Sequence, residues 1–216
     1  MLIAVTGSHG FIGSALVSSL DAARHTVTPV LRGPPDPRGG ARWTPDGPCD
    51  LSALSGHDAL VHLAGENVGR GRWNAARMAA IRASRIEGTR RLVEGLLRLK
   101  EPPRALIAAS AVGYYGDRGD EPLTEDSGPG TGFLASLAVE WERALEPARD
   151  AGIRVVAFRF GIVLDPAGGV LRRMLSPFRL GLGGVLGGGE QYMSWVDLAD
   201  AVRAIEFAAA RTDLAG

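Results

Sequence analysis

The sequence predicts a doubly wound α/β fold, a parallel sheet covered by helices on both faces. Three observations carry this expectation. Short continuous apolar runs alternate with segments whose apolar residues recur three to four apart, the periods of a buried parallel strand and an amphipathic helix. The first run passes into the first helical segment through a glycine-rich turn, Thr6 to Gly13. A length of 216 residues with 45% hydrophobic content is enough to bury one such core, so residues 1–216 are read as one domain.

The elements follow in order. Met1 to Val5 predicts the first strand, and Phe11, Ile12, Leu16, Val17 and Leu20 give the first helix its apolar face. Thr26 to Leu31 reads as the second strand. From Gly33 to Gly56 the composition shifts to proline, glycine and aspartate, which predicts a crossover with a short strand at Trp43 and a turn at Leu51 to Leu54. Asp58 to Gly65 predicts a buried strand. Met78, Ile81, Ile86, Leu92, Val93 and Leu96 fall on or near one face of a helix from Trp73 to Leu99, ended by Pro102 and Pro103. Arg104 to Ser110 predicts a strand, Phe133 to Ala151 a helix, Ile153 to Phe160 a strand, and Val196 to Ala210 the closing helix. Asp165 to Glu190 is glycine-rich and long for a connection, which predicts a lid or binding loop.

Bulk properties exclude several classes. Formal net charge is zero, so no nucleic-acid or anionic-lipid surface is expected. No stretch approaches the roughly 18 apolar residues of a membrane span. Cys49 is the sole cysteine, and the first strand starts at Leu2, which points to a reducing cytoplasm. The four histidines form no pair at metal-ligand spacing beside acids or the cysteine, so no metal site is expected.

The glycine turn sits where a Rossmann-type sheet cradles a dinucleotide. Gly7 allows the tight strand-to-helix turn, Gly10 lets backbone approach a diphosphate, and Gly13 lets the helix pack on the sheet. The anion would meet free N–H groups and the positive end of the helix dipole. An acid at the end of the second strand would bind a ribose 2'-hydroxyl and select NAD, but Arg32 stands there. A guanidinium pairs with a 2'-phosphate instead, so NADP(H) is favoured over NAD(H), with Ser8 as a second donor.

Later blocks add a resemblance. Leu63 to Asn67, Arg72-Trp73, Ile81 to Arg85, Ser110 to Gly116, Leu123 to Ser127 and Pro177 to Gly184 resemble the epimerase-family proteins among the atypical extended short-chain dehydrogenase/reductases. The resemblance spans nearly the whole chain and implies NADP(H) binding with oxidoreductase or epimerase-like ancestry. It implies cofactor contacts from Phe11 and Ile12 in the turn, from Leu31 and Arg32, from Leu63, Ala64 and Gly65, from Arg85, and from Ile162 beside the nicotinamide. Members of the family usually carry a further strand and a small substrate-side domain, which residues 1–216 lack, so an incomplete substrate pocket is expected.

Ordinary members of the superfamily move a proton with a tyrosine and a lysine four residues on. Here Phe133 and Leu137 occupy those positions, and Lys100 is the only lysine. The substrate-binding serine is Ser110, or is replaced by Ala111 if the Tyr115-Gly116 pair sets the match. Tyr114 and Tyr115, followed by Glu125 and Asp126, are the remaining acid–base candidates, with Tyr114 put forward beside Ser110. A tyrosine needs a neighbouring cation, which only an arginine could supply. Asp197 reads equally well as a helix cap. Two functions stay open: an NADP(H)-dependent enzyme acting on a small molecule, and a catalytically silent dinucleotide-binding module.

Overall fold

The computed structural model describes residues 1–33, 40–47, 49–69, 71–185 and 187–216. Residues 34–39 of the expected crossover lie outside the described residues. In chain order the elements are β1 (Leu2–Thr6), α1 (Phe11–Ala22), β2 (Thr26–Val30), β3 (Arg42–Trp43), β4 (Cys49–Asp50), β5 (Ala59–His62), α2 (Ala75–Leu97) and β6 (Ala105–Ala111). They continue with α3 (Phe133–Arg143), α4 (Glu146–Asp150), β7 (Arg154–Phe160), β8 (Ile162–Asp165), α5 (Gly169–Arg179), β9 (Trp195–Asp197) and α6 (Leu198–Ala210). Short 3-10 turns cover Ser52–Leu54 and Val112–Tyr115.

Five strands form a parallel sheet in the order β2-β1-β5-β6-β7. Side chains alternate across it with the two-residue period of a strand. Ile3, Val5, Val61 and Ile107 face α1 and α6, packing against Leu16, Leu20, Val202 and Ile205. Their neighbours Ala4, Leu60, Leu106 and Val155 face the other way, against Leu92 and Leu96 of α2 and Ala148 of α4. The expected α/β sheet with helices on both faces is the observed architecture.

Several boundaries differ from the sequence expectation, each for a local reason. The strand expected to Gly65 stops at His62, because the N–H groups of Leu63 and Ala64 turn to the Thr6 hydroxyl, both at 3.2 Å. The helix expected from Phe133 to Ala151 breaks into α3 and α4, since Pro147 has no N–H to continue the ladder. The helix from Trp73 begins at Ala75, where the Asn74 side chain caps Arg77 N at 2.9 Å. The closing helix begins at Leu198, after β9 has paired with β8, and the Asp197 carboxylate caps it through Ala199 N at 2.8 Å.

The largest difference concerns Asp165 to Glu190. Glycines suggested a loop, yet α5 runs through its first half, because Val170, Leu171, Met174, Leu175 and Phe178 keep helical spacing. None of its residues is buried. Phe178, Leu180, Leu182, Val185 and Tyr192 are all more than half exposed. Among the described residues no helix is long and apolar enough to cross a membrane.

Candidate active site

The chain leaves β1 toward β2 on one side and enters β5 on the other, so a crevice opens between β1 and β5 at the carboxyl edge. Ligands of open α/β sheets bind at such a switch point. Gly7 turns the chain with φ +68°, and its carbonyl accepts Gly10 N at 2.8 Å. A Cβ on Gly7 would stand 3.0 Å from both Ala64 N and the Leu63 carbonyl carbon. A Cβ on Gly13 would overlap the Gly7 carbonyl, 2.8 Å from its carbon. The N-terminus of α1 has no capping side chain and no acid in its first turn, so its amides keep donor capacity for an anion.

The crevice is a cavity of about 360 Å³. The glycine turn supplies Gly7, Ser8 and Gly10; the end of β2 supplies Val30, Leu31 and Arg32; the segment after β5 supplies Leu63, Ala64 and Gly65; and Trp43 forms part of the wall. Eight of the expected cofactor residues therefore share one cavity. Leu31 is fixed there by its N–H to Ala41 O and its carbonyl from Trp43 N. Arg32 lies exposed on the rim, with no partner for its guanidinium among the described residues. The cradle, the open helix end and the rim guanidinium fit a dinucleotide phosphate.

The other expected residues stand behind or beside this cavity. Ile12 packs with the core of α1 and α6. The Phe11 ring lies on Gly168 and Gly169 at the start of α5, where a Gly168 Cβ would come within 2.6 Å of the ring. Arg85 donates to the Glu66 carbonyl at 3.0 Å, lies 5.0 Å over the Trp141 ring, and backs Gly65. Burial lowers the proton affinity of its guanidinium. Ile162 opens β8, paired with Trp195 and exposed.

Beneath the crevice runs a buried polar chain that sequence reasoning missed. Thr6 Oγ1 accepts two backbone N–H groups, so its own proton goes to His62 Nδ1, 2.8 Å away. His62 is then the tautomer with its proton on Nε2, donating to Thr89 Oγ1 at 3.1 Å, which also receives the Trp141 indole N–H at 3.1 Å. A second proton on His62 would point at an oxygen with no lone pair left. Burial first, and then Arg85, push its pKa down to about 4.

A second cavity, about 410 Å³, lies on the α3 side and is lined by Trp73 and Met78, by Gly113 and Gly116, and by Thr131, Phe133 and Leu134. Phe133, expected from the sequence to stand where the ordinary tyrosine does, is on its wall, while Leu137 is buried with Ile81 and Ile86. Neither can transfer a proton. At the carboxyl end of β6, Ser110 donates to Glu142 Oε1 at 2.6 Å, and Glu142 is gripped by Arg159 through Nε at 2.9 Å and Nη2 at 2.8 Å. The Arg159 guanidinium stacks 3.5 Å over the Tyr114 ring and donates from Nη1 to the Tyr115 hydroxyl at 2.9 Å. The two tyrosines thus differ: Tyr114 offers Arg159 its face and Tyr115 its oxygen. Arg159, between Phe158 and Phe160 in β7, was a visible signal, a charge set between apolar neighbours; Glu142, between Trp141 and Arg143, gave none.

Comparison with known proteins agrees with this geometry. Residues 3–215 match the NAD dependent epimerase/dehydratase family. Epimerase family protein Mb2239 of Mycobacterium bovis is 47% identical over 216 residues, covering 100% of this chain and 71% of that protein. The structure of human epimerase family protein SDR39U1 (isoform2) with NADPH superposes with a TM-score of 0.86 at 35% identity, covering 100% of this chain and 72% of that one. That of the nucleoside-diphosphate sugar epimerase from Corynebacterium glutamicum gives 0.85 at 38% identity, covering 100% of this chain and 45% of that one. The chain thus spans less than half of the Corynebacterium protein. By sequence and fold it belongs to the NAD dependent epimerase/dehydratase family, of the extended short-chain dehydrogenase/reductase type, and has the make-up of an NAD(P)-binding, epimerase-like oxidoreductase.

Proposed function

We propose that the β1–β5 crevice holds NADP(H) in preference to NAD(H), and that the chain is an oxidoreductase or epimerase-like enzyme for a small molecule. The observation that carries this is the guanidinium of Arg32 on the rim of the cavity, beside Leu31 and opposite Leu63 and Ala64. When bound, the nicotinamide exchanges a hydride with a substrate carbon. The turn at Gly7, Ser8 and Gly10 and the amides of Phe11, Ile12 and Gly13 would take the diphosphate. Arg32, with Ser8 nearby, would take the 2'-phosphate, and Ile162 would border the nicotinamide. The NADPH in the human relative supports the same choice.

Trp43 lines the crevice, so its fluorescence reports occupancy. Titration with NADPH and NADH tests the preference: NADPH binds more tightly, and Arg32→Ala removes most of the difference, about 10- to 100-fold for a lost charge-assisted contact. Equal affinities in the unmodified protein would contradict it. One observation favours the silent-module reading: Phe133 and Leu137 leave the usual proton-transfer positions apolar. Tight NADPH binding with no turnover of sugar nucleotides or small carbonyls would select that reading.

A further inference from the structure

We propose that Tyr115 is the proton donor and acceptor of this site, and that Arg159 is the cation that supports it in place of the missing lysine. This rests on the NADP(H)-dependent reading above. A carbonyl that receives a hydride at carbon must receive a proton at oxygen, and neither Phe133 nor Leu137 can give one. Among the described residues one phenol oxygen receives a cationic N–H, that of Tyr115 from Arg159 Nη1 at 2.9 Å.

The geometry constrains that contact from the far side. Arg159 stands opposite Ser110 in the sheet register, at the carboxyl ends of β7 and β6. Two of its nitrogens are clamped by the Glu142 carboxylate, which leaves Nη1 for Tyr115 and, at 3.3 Å, the Glu125 carbonyl. Stacking on Tyr114 fixes the plane of the guanidinium. The ion pair is only partly screened, with side-chain exposures of 21% and 15%. Glu142 and Tyr115 hold the Arg159 proton more tightly than an ordinary arginine's, so the cation persists across the working pH range. Because the Tyr115 oxygen accepts from Arg159, its own O–H is directed elsewhere, and no acceptor for it is found among the described residues. Gly113 and Gly116, which flank the two tyrosines in sequence, line the 410 Å³ cavity, while Tyr115 itself is buried.

The Tyr115 O–H bond breaks as its proton passes to the substrate carbonyl oxygen, while the hydride from NADPH forms the new C–H bond at the carbonyl carbon. The negative charge left on the phenol oxygen faces Arg159 Nη1 and is discharged by a proton from water. Oxidation of an alcohol by NADP⁺ runs the same path in reverse. Glu142 is a positioning residue here: it holds Arg159 and Ser110 and does not meet substrate.

The chain has three tyrosines, Tyr114, Tyr115 and Tyr192, so protein labelled with carbon-13 at the tyrosine ring carbon bearing oxygen gives resonances assignable by single Tyr→Phe variants. With NADPH bound, addition of phenanthrenequinone or para-nitrobenzaldehyde moves the Tyr115 resonance and leaves Tyr192 in place, and Arg159→Lys moves the Tyr115 resonance without any probe. In turnover of these carbonyls, Tyr115→Phe lowers kcat about 100-fold or more, while KM and NADPH affinity stay within about 3-fold. Arg159→Lys keeps a cation and falls between, and Tyr192→Phe matches the unmodified protein. Failure of NADPH to bind counts against the cofactor reading itself. NADPH binding with a Tyr115 resonance indifferent to both probes, or turnover retained by Tyr115→Phe, overturns the Tyr115 assignment alone.

Discussion

The β1–β5 crevice and the polar cluster around Arg159 are built from different materials. The crevice between β1 and β5 is shaped by backbone: glycines where a Cβ has no room, a helix end left open, and two amides turned onto Thr6. The polar cluster at the carboxyl ends of β6 and β7 is made of side chains, with Ser110, Glu142, Arg159 and Tyr115 joined through contacts of 2.6 to 2.9 Å. Backbone geometry tolerates almost no substitution, whereas a side-chain cluster can be rebuilt from other residues. On the proposed reading, that difference lets a conventional nucleotide site stand beside an unconventional acid–base cluster.

Substitutions should divide along the same line. The largest effect is expected for Gly13→Ala, whose methyl group would overlap the Gly7 carbonyl. Neither backbone segment can yield without opening the turn, so the cost is about 3 kcal/mol or more in stability, together with loss of NADPH binding. Urea denaturation and calorimetric titration measure the two. A variant of native stability and affinity would show that the turn is looser than described.

Next in size is the acid response set by His62. Its pKa is about 4 in the folded chain and 6.5 unfolded, so between those values the unfolded state binds more protons. Stability is therefore complete above pH 6.5 and falls as pH drops toward 4, by about 3 kcal/mol over the whole window. Partial burial also lowers the pKa of His57, which adds in the same direction. Urea midpoints at several pH values should show this slope, and His62→Gln should flatten it. A slope unchanged in His62→Gln would remove His62 as its source.

The smallest effect is expected on the outer layer. Arg173 of α5 donates to the Gly69 carbonyl at 2.6 Å in an exposed contact. Arg173→Ala should change stability by no more than about 0.5 kcal/mol, and a drop of several kcal/mol would mean that α5 braces the core.

Legibility in the sequence followed the same division. Strands and the glycine turn were readable because buried parallel strands and tight turns impose composition locally, as at Leu2 to Gly13. The residues that share the β1–β5 crevice were readable for the same reason, since Leu31, Arg32 and Leu63 to Gly65 each follow a strand end. The break at Pro147 and the helix within Asp165 to Glu190 were misread where one residue type, apolar in the first case and glycine in the second, outweighed its neighbours. The Thr6–His62–Thr89–Trp141 chain and the Glu142–Arg159 pair were not legible. Their members come from elements 17 to 56 residues apart in sequence, and only the fold brings them together.

Amide chemical shifts of isotope-labelled protein during a titration with NADPH test the central claim most directly. The account predicts saturable shifts concentrated at Gly7, Ser8, Gly10 and the first turn of α1, with a second group at Leu63 to Gly65. No saturable change, or shifts centred away from the β1–β5 crevice, would contradict it.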